Sequence, residues 1–343
     1  MSKKIFVGMS GGVDSSVTAA LLKNKGYDVT GVYMKNWTRD IPGFECPWKE
    51  DYQDAKRVAV RLGIDLLIFD FEKEYKQKVV DYMIDEYRAG RTPNPDIMCN
   101  QEIKFKLFLD TALENGADLI ATGHYSRTEQ GKLLTAKNKS KDQTYFLYRV
   151  TEDALQKTLF PIGEFQTKDE VRALARKYGL PTAGKKDSQG ICFVGKVGIK
   201  EFLSQYVKAK PGPIIDQEGK EIGEHEGAIF YTIGQRHGLN VGGGLPYYVT
   251  KKDMKTNTVY VTTDLSDKDL WSKEIVLTDL HWINEPPDKN KGYQARLRYR
   301  GPLVSCRLDA GKLVLGEEQR AVSAGQSAVL YDGDRVLGGA VIS

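Results

Sequence analysis

The run Ser10-Gly11-Gly12-Val13-Asp14-Ser15 constrains this chain more than any other stretch. An apolar, strand-like segment, Ile5-Phe6-Val7-Gly8-Met9, leads into it, and a helical segment through Val17 to Lys25 leads out. Gly11 and Gly12 lack a Cβ, so their N–H groups can approach an anion closely. A helix N-terminus at the same point adds partial positive charge. Ser10, Ser15 and Ser16 bring hydroxyl donors, and Asp14 either holds Mg²⁺ or orients the loop. A bare glycine pair here would be an ordinary turn. The full string between strand and helix reads as a phosphate cradle. It is not the Walker type, because no G-x-x-x-x-G-K-[ST] places a lysine on the outer phosphates.

The surrounding pattern alternates. Val29 to Met34 reads as a strand, Asp51 to Leu62 as a helix stopped by Gly63, and Tyr75 to Arg88 as a helix. Leu66-Leu67-Ile68-Phe69 is continuously apolar, which predicts a parallel strand covered on both faces. A turn-rich loop, Arg91 to Asp96, precedes a helix from about Gln101 to Glu114 and a strand from Asp118 to Thr122. Repeated βαβ units predict an α/β fold with an open parallel sheet and ligands at the carboxyl ends of its strands. Thr167-Lys168-Asp169-Glu170 is a capping box for a helix ending near Gly179, with Pro181 beyond. Gly184 to Gly198 is rich in glycine and lysine and reads as loop. From Pro211 the chain breaks into short apolar runs and turn pairs. From Trp271 to Ser343 strands dominate, with Gly311, Gly316, Gly325 and Asp332-Gly333 at turns, which predicts a small β-barrel. A chain of 343 residues is too long for one core. Three units are expected: 1–205, 206–270 and 271–343.

The net charge of +4 permits a nucleic-acid partner without demanding one. No apolar run approaches the roughly 20 residues that span a bilayer. Met1-Ser2-Lys3-Lys4 runs straight into a strand, so a cytoplasmic protein without a leader is expected. Lys137, Lys139 and Lys141 form a basic cluster suited to phosphates. Arg296, Arg298 and Arg300 alternate, as residues on one face of a strand do. On the residues alone, a solvated face is the better reading of both clusters.

The four cysteines show no C-x-x-C zinc spacing. Cys99 stands just before a predicted helix with Asn100 as its N-cap, where the helix dipole favours the thiolate. Asp96 is close enough in sequence to act as general acid or base. Cys192, in Asp187-Ser188-Gln189-Gly190-Ile191-Cys192-Phe193-Val194-Gly195, follows Lys185 and Lys186, a basic pair that also favours thiolate. Each alone reads as well as an incidental thiol. Together they fit persulfide chemistry, one carrying a terminal sulfur and the other attacking the S–S bond. Asp96, Cys99 and Cys192 as ligands of an iron–sulfur cluster is the alternative. Cys306 reads as a packing residue in a strand, and Cys46 has no assigned role.

The loop resembles the PP-loop of the ATP pyrophosphatase group, whose members adenylate a substrate oxygen and release pyrophosphate. Nearly the whole chain resembles the tRNA-specific 2-thiouridylases, the MnmA/TrmU family. The landmarks are Gly8 to Ser16, Asn94-Pro95-Asp96 with Cys99-Asn100, Ala121-Thr122-Gly123-His124-Tyr125, Lys141 to Leu147, Ser188 to Phe193, and Tyr231-Thr232-Ile233-Gly234-Gln235-Arg236. The resemblance implies a PP-loop catalytic domain of the adenine nucleotide alpha hydrolase-like kind, a mixed central domain that binds tRNA, and the barrel. It implies that Gly8, Met9, Ser10, Gly11, Gly12, Val13, Asp14 and Ser15, with Met34 and Gly123, bind ATP with Mg²⁺. Asn94, Pro95 and Asp96 would hold the target base. Cys99 would be the nucleophile and Cys192 the persulfide carrier. His124, Lys141, Asp142, Gln143, Tyr299, Arg300 and Gln326 would touch tRNA. The implied partners are the tRNA anticodon arm and a persulfide donor, either a cysteine desulfurase or a sulfur-relay protein, and no membrane. The implied reaction adenylates the C2 oxygen of the wobble uridine and then inserts sulfur. The segment Trp37 to Trp48, with Cys46, departs from the commoner bacterial pattern. Two other readings remain: a PP-loop ligase joining an amine to an adenylated carbonyl, and a non-catalytic tRNA-binding protein switched by ATP.

Overall fold

A computed structural model describes residues 2–40, 45–186, 198–239, 241–242, 244 and 246–343. The first unit is built on β1 (Lys4–Gly8), α1 (Val13–Asn24), β2 (Asp28–Lys35), α2 (Trp48–Leu62) and β3 (Asp65–Asp70). A helical run α3 (72–88) and another, α4 (95–114), lead to β4 (Leu119–Ala121). A hairpin of β5 (Ser126–Glu129) and β6 (Lys132–Thr135) follows, then α5 (Glu152–Gln156), β7 (Thr158–Leu159) and α6 (Lys168–Lys177). The sheet runs β3-β2-β1-β4-β7, all parallel. The period of two along β1 explains its position. Phe6 joins the core formed with α3 and α4, while Ile5 and Val7 join the core formed with α1 and α6. Each such side chain, fully buried, contributes about 1.5–3 kcal/mol.

Two expectations change at the sheet and its helices. β3 is not covered on both faces but is the sheet's edge strand, with Leu67 37% and Ile68 48% exposed. A run of apolar residues reports β propensity and cannot report how many neighbours a strand has. The helix placed at Gln101 begins instead at Pro95. Asn94 caps it by accepting a hydrogen bond from the Asp96 N–H (3.2 Å), and Pro95 sits at the first position, where no N–H is needed. Asn100 is therefore inside the helix, not its cap. The capping box at Thr167 forms as the sequence requires, with Thr167 and Glu170 bonding reciprocally.

The short helix α7 (Ile199–Leu203) leads to a four-stranded sheet, β8 (Gly212–Ile215), β9 (Glu221–His225), β10 (Tyr248–Asp253) and β11 (Thr258–Thr262), ordered β10-β11-β8-β9. The last unit is the barrel: β12 (Trp271–Trp282), β13 (Tyr293–Arg296), β14 (Val304–Asp309), β15 (Lys312–Arg320), β16 (Ser327–Asp332) and β17 (Arg335–Ile342). It closes where β12 meets β17. Gly338, at φ 141°, makes that closure possible, since a Cβ there would lie 2.1 Å from the His281 carbonyl oxygen. Cys306 is buried in the barrel core, and burial pushes its thiol up to about 12. The arginine alternation does not hold as a strand face: β13 stops at Arg296, and Arg298 and Arg300 lie in the turn beyond, with Arg300 at φ 60°.

The barrel does not stand apart. The β5–β6 hairpin of the first unit pairs with the start of β17, beyond the reach of β12, with Leu134 opposite Arg335 and Leu133 opposite Val336. Asp334 accepts from Thr135, Lys139 and Arg127. Among the described residues, no helix is long and apolar enough to cross a membrane.

Candidate active site

The carboxyl ends of β1, β2 and β4 meet at one place. The Ser10 N–H donates to the Ser15 hydroxyl (3.2 Å), and the Ser16 hydroxyl donates to the Gly12 carbonyl (2.7 Å), so the loop is wound tightly onto α1. Gly11 has φ 71°, and a Cβ there would lie 2.2 Å from the Asp51 carbonyl oxygen. Only glycine meets both conditions. Gly123, just after β4, packs on the loop from the other side: its Cβ would lie 2.7 Å from the Ser15 nitrogen. Gly8 faces the Met34 methyl in the same way, at 3.0 Å. The loop residues Gly8 to Ser15, Met34 and Gly123 are thus one cluster. The first-turn N–H groups of α1, from Val13, have no intrahelical acceptor and can bind an anion. The residues present therefore fit a nucleotide phosphate.

Asp14 takes the second of its two sequence readings. Both its carboxylate oxygens accept from Lys168 Nζ (2.7 Å each), and one also accepts from the Tyr125 hydroxyl (3.0 Å). In this arrangement it orients the loop. Among the described residues, no group of three His, Cys, Asp or Glu could hold a metal ion.

A second cluster lies on α4. Asp96 and Cys99 are one turn apart, and the helix widens to π-helical geometry over Cys99–Leu107. Cys99 is 3% exposed, packed among apolar residues that include Ile97, Ile103 and Phe105. Burial pushes the Asp96 carboxyl above its ordinary value, and the Lys104 ammonium opposes that shift. Lys104 Nζ also lies 3.5 Å from His124 Nε2. An ammonium only donates, so Nε2 accepts, and Nδ1 carries the proton and donates to the Thr122 hydroxyl (2.7 Å). Burial, then the Lys104 charge, holds His124 well below its usual value and therefore neutral. Gly123 on the phosphate loop and His124 on Lys104 are consecutive residues. They join the two clusters.

The loop before α4 is fixed by all three units. The Thr92 N–H donates to the Ala324 carbonyl (2.8 Å), Gln326 donates to the Thr92 carbonyl (2.7 Å), and the Thr92 and Thr232 hydroxyls meet at 3.2 Å. Asn94, Pro95 and Asp96 follow after Pro93.

The residues expected to touch RNA divide. Asp142 is 4% exposed; its carboxylate accepts from the Ala136 N–H and the Thr144 hydroxyl and faces Arg296 at 3.6 Å. It holds the fold and does not face out. Gln143 accepts from the Tyr125 N–H (2.8 Å), and Lys141 is half-buried. Tyr299 packs on the Phe146 ring at 4.2 Å, with the exposed Arg300 over its own ring. The basic cluster is partly neutralised, Lys137 by Glu164 and Lys139 by Asp334. Cys192, and with it Ser188 to Phe193, lies outside the described residues. So does the third member of the iron–sulfur set, since that member is Cys192. Cys46 is half-buried, and burial raises its thiol, which disfavours the thiolate. A cavity of about 430 Å³ opens beyond β2 and β3, lined by Trp37, Arg39, Glu72, Lys76 and Asp81, and not at the loop. Sequence reading missed Lys104, Lys168 and Thr92. Local sequence carries no signal for Lys168, whose partner is 154 residues away.

Residues 3–196 match the family described as tRNA methyl transferase HUP domain. Residues 200–263 match the tRNA methyl transferase PRC-barrel domain, and 272–342 the aminomethyltransferase beta-barrel domain. A Methylobacillus flagellatus protein is 48% identical over 100% of this chain and 99% of its own length. One from Bacillus subtilis is 48% identical (99% of this chain, 94% of that protein), and one from Streptococcus sanguinis 47% (99% and 95%). Each of the three is named tRNA-specific 2-thiouridylase MnmA.

Proposed function

The chain belongs to the tRNA-specific 2-thiouridylase family, and from that premise we propose how its residues divide the reaction. ATP lies on the loop from Gly8 to Ser15, with Met34 and Gly123 against it. The wobble uridine of a tRNA anticodon arm leaves its stack and enters beside Asn94, Pro95 and Asp96, because chemistry on a base requires that exposure. Its C2 oxygen attacks the α-phosphate, and pyrophosphate departs toward the loop N–H groups, which stabilise its charge. Sulfur then reaches C2 by one of two routes. In one, the terminal sulfur of a Cys192 persulfide attacks C2 and AMP leaves; the Cys99 thiolate then attacks Cys192 Sγ, breaking the S–S bond of the adduct and leaving 2-thiouridine and a Cys99–Cys192 disulfide. In the other, Cys99 attacks Cys192 Sγ first, forming the same disulfide and freeing hydrosulfide, which attacks C2 as AMP leaves. A thiol reductant reopens the disulfide. A cysteine desulfurase or sulfur-relay protein reloads Cys192. His124, Lys141, Tyr299, Arg300 and Gln326 flank the RNA, and the protein works in the cytoplasm. The units are 1–205, 206–270 and 271–343.

The observation that carries this reading is the Gly123–His124 junction. It brings a phosphate loop and a helix bearing a carboxyl and a thiol to the same strand end. A ligase making an amide needs the loop but not the thiol. Mass spectrometry of nucleosides from tRNA incubated with enzyme, ATP and a persulfide source tests it. 2-Thiouridine is expected with all components and none without ATP. Sulfur inserted without ATP ends the adenylation step, and 2-thiouridine retained in Cys192→Ser ends the carrier role.

As the general base that takes the uridine N3 proton while the C2 oxygen attacks, Asp96 sets the pH dependence. Its raised carboxyl moves the acid limb of the rate above the ordinary carboxylate range. Lys104→Met removes the charge that opposes the shift, so the limb moves to still higher pH. Asp96→Asn lowers the rate by about 10²–10⁴-fold. The same substitution tests the linkage. The folded state binds the Asp96 proton more tightly than the unfolded state, so stability falls as pH rises from the unfolded value through the folded one. Asp96→Asn is therefore more stable than the parent at neutral pH, and denaturant midpoints at pH 5 and 8 check it. An Asn variant that is less stable at both refutes the assignment.

A further inference from the structure

The phosphate loop has no lysine of its own, but the fold delivers one. Lys168 is the first residue of α6, and the Thr167–Glu170 capping box fixes its place. Its ammonium lies 2.7 Å from both carboxylate oxygens of Asp14 and 5.6 Å over the Tyr125 ring. The Lys168 side chain is 14% exposed and Asp14 29%. A second tie, the Thr182 hydroxyl donating to Ser16 (3.0 Å), holds the chain beyond α6 against α1.

The location is electrostatically odd. A cation at the first position of a helix is disfavoured by the helix dipole. Here two helix N-termini, those of α1 and α6, converge with an ammonium between them. Such a place asks for an anion. Asp14 supplies a single negative charge, whereas a triphosphate supplies several. The apolar contacts of Val171 and Ala175 already bury α6 in the core, so docking this helix does not require the lysine.

We infer that Lys168 is a phosphate-binding residue of this site, docked on Asp14 until a triphosphate occupies the loop and then turned to the phosphate oxygens. This rests on the reading that ATP binds the loop. In the adenylation step the uridine C2 oxygen bonds to the α-phosphorus. The bond from that phosphorus to the bridging oxygen breaks, and its electron pair leaves on pyrophosphate. Lys168 stabilises that charge without exchanging a proton. Tyr125 keeps its bond to Asp14 while the lysine moves.

Equilibrium dialysis of ATP and of adenosine, with the full chain and no tRNA, tests this in Lys168→Met, Lys168→Arg, Asp14→Asn and the double variant. Lys168→Met is expected to weaken ATP by about ten- to a hundredfold, the worth of a hydrogen bond to a charged group. Adenosine binding stays unchanged, and Lys168→Arg restores most of the loss. In the Asp14→Asn background, Lys168→Met weakens ATP again by a similar factor. If the double variant binds ATP as Asp14→Asn does, the lysine serves only the ion pair and the inference falls. If adenosine and ATP weaken equally in Lys168→Met, the effect is on the fold and the inference falls; this comparison decides alone should Asp14→Asn not fold. Failure of the parent protein to bind ATP overturns the nucleotide reading itself.

Discussion

Cys99→Ser is expected to lower 2-thiouridine formation by about a thousandfold or more, the scale on which removing a nucleophile acts, and to leave ATP binding intact. Serine is close to cysteine in size, so no cavity opens in the core around Ile97, Ile103 and Phe105. The substitution removes a thiol and little else. The phosphate loop is untouched, because Cys99 belongs to α4 and the loop to the β1–α1 turn. Pyrophosphate release on adding tRNA should therefore persist in the variant while sulfur does not enter. Liquid chromatography of digested tRNA, with pyrophosphate measured in the same tubes, separates the two steps. Sulfur insertion at more than about a tenth of the parent rate would mean that Cys99 is a packing residue only.

The second large effect falls on the other cluster. Gly123→Ala should abolish ATP-dependent chemistry, lowering pyrophosphate release by about a hundredfold or more. The added Cβ meets backbone on both contacts, 2.7 Å from the Ser15 nitrogen and 2.8 Å from the Asp14 carbonyl carbon. Backbone cannot rotate away as a side-chain tip can. The loop must shift or the β4 end must, and either moves the anion-binding N–H groups off their positions. Overpacking of this kind costs about 1–3 kcal/mol, so the variant should still fold. Gly11→Ala acts in the same direction, through its φ of 71° and its 2.2 Å approach to Asp51. Gly184→Ala is the matched control, having nothing within 4 Å among the described residues. Isothermal titration with ATP and a thermal melt are the measurements. Undiminished ATP affinity in Gly123→Ala would show that the nucleotide binds elsewhere, with the cavity beside Trp37 and Glu72 the first place to look.

The parts of the site that sequence revealed are those made of contiguous residues. The loop from Ser10 to Ser15 and the Thr167–Glu170 box are local hydrogen-bond patterns, and local patterns are written in adjacent letters. The barrel was legible from its turns. What stayed hidden depends on neighbours distant in sequence. Leu67 and Ile68 look like core until the sheet ends beside them. Asp142 looks like an RNA contact until Arg296 and the Ala136 N–H close around it. The helix start at Asn94 was readable in principle, since Asn-Pro is a strong cap pair; Asn100 competed for the role because the turn-like composition of 91–96 suggested loop. Thr92 carries no motif, yet its bonds reach Thr232, Ala324 and Gln326.

The β5–β6 hairpin has a consequence for how the protein is made. Leu134 pairs with Arg335, so the outer edge of β6 waits for a strand that leaves the ribosome about two hundred residues later. Pairing over that separation closes slowly, because the loop entropy is lost before the contact forms. Until then the nascent chain carries an unpaired strand edge, a template for association with another chain. Lys132, on β6 itself, puts a charge on the strand whose edge is open during synthesis.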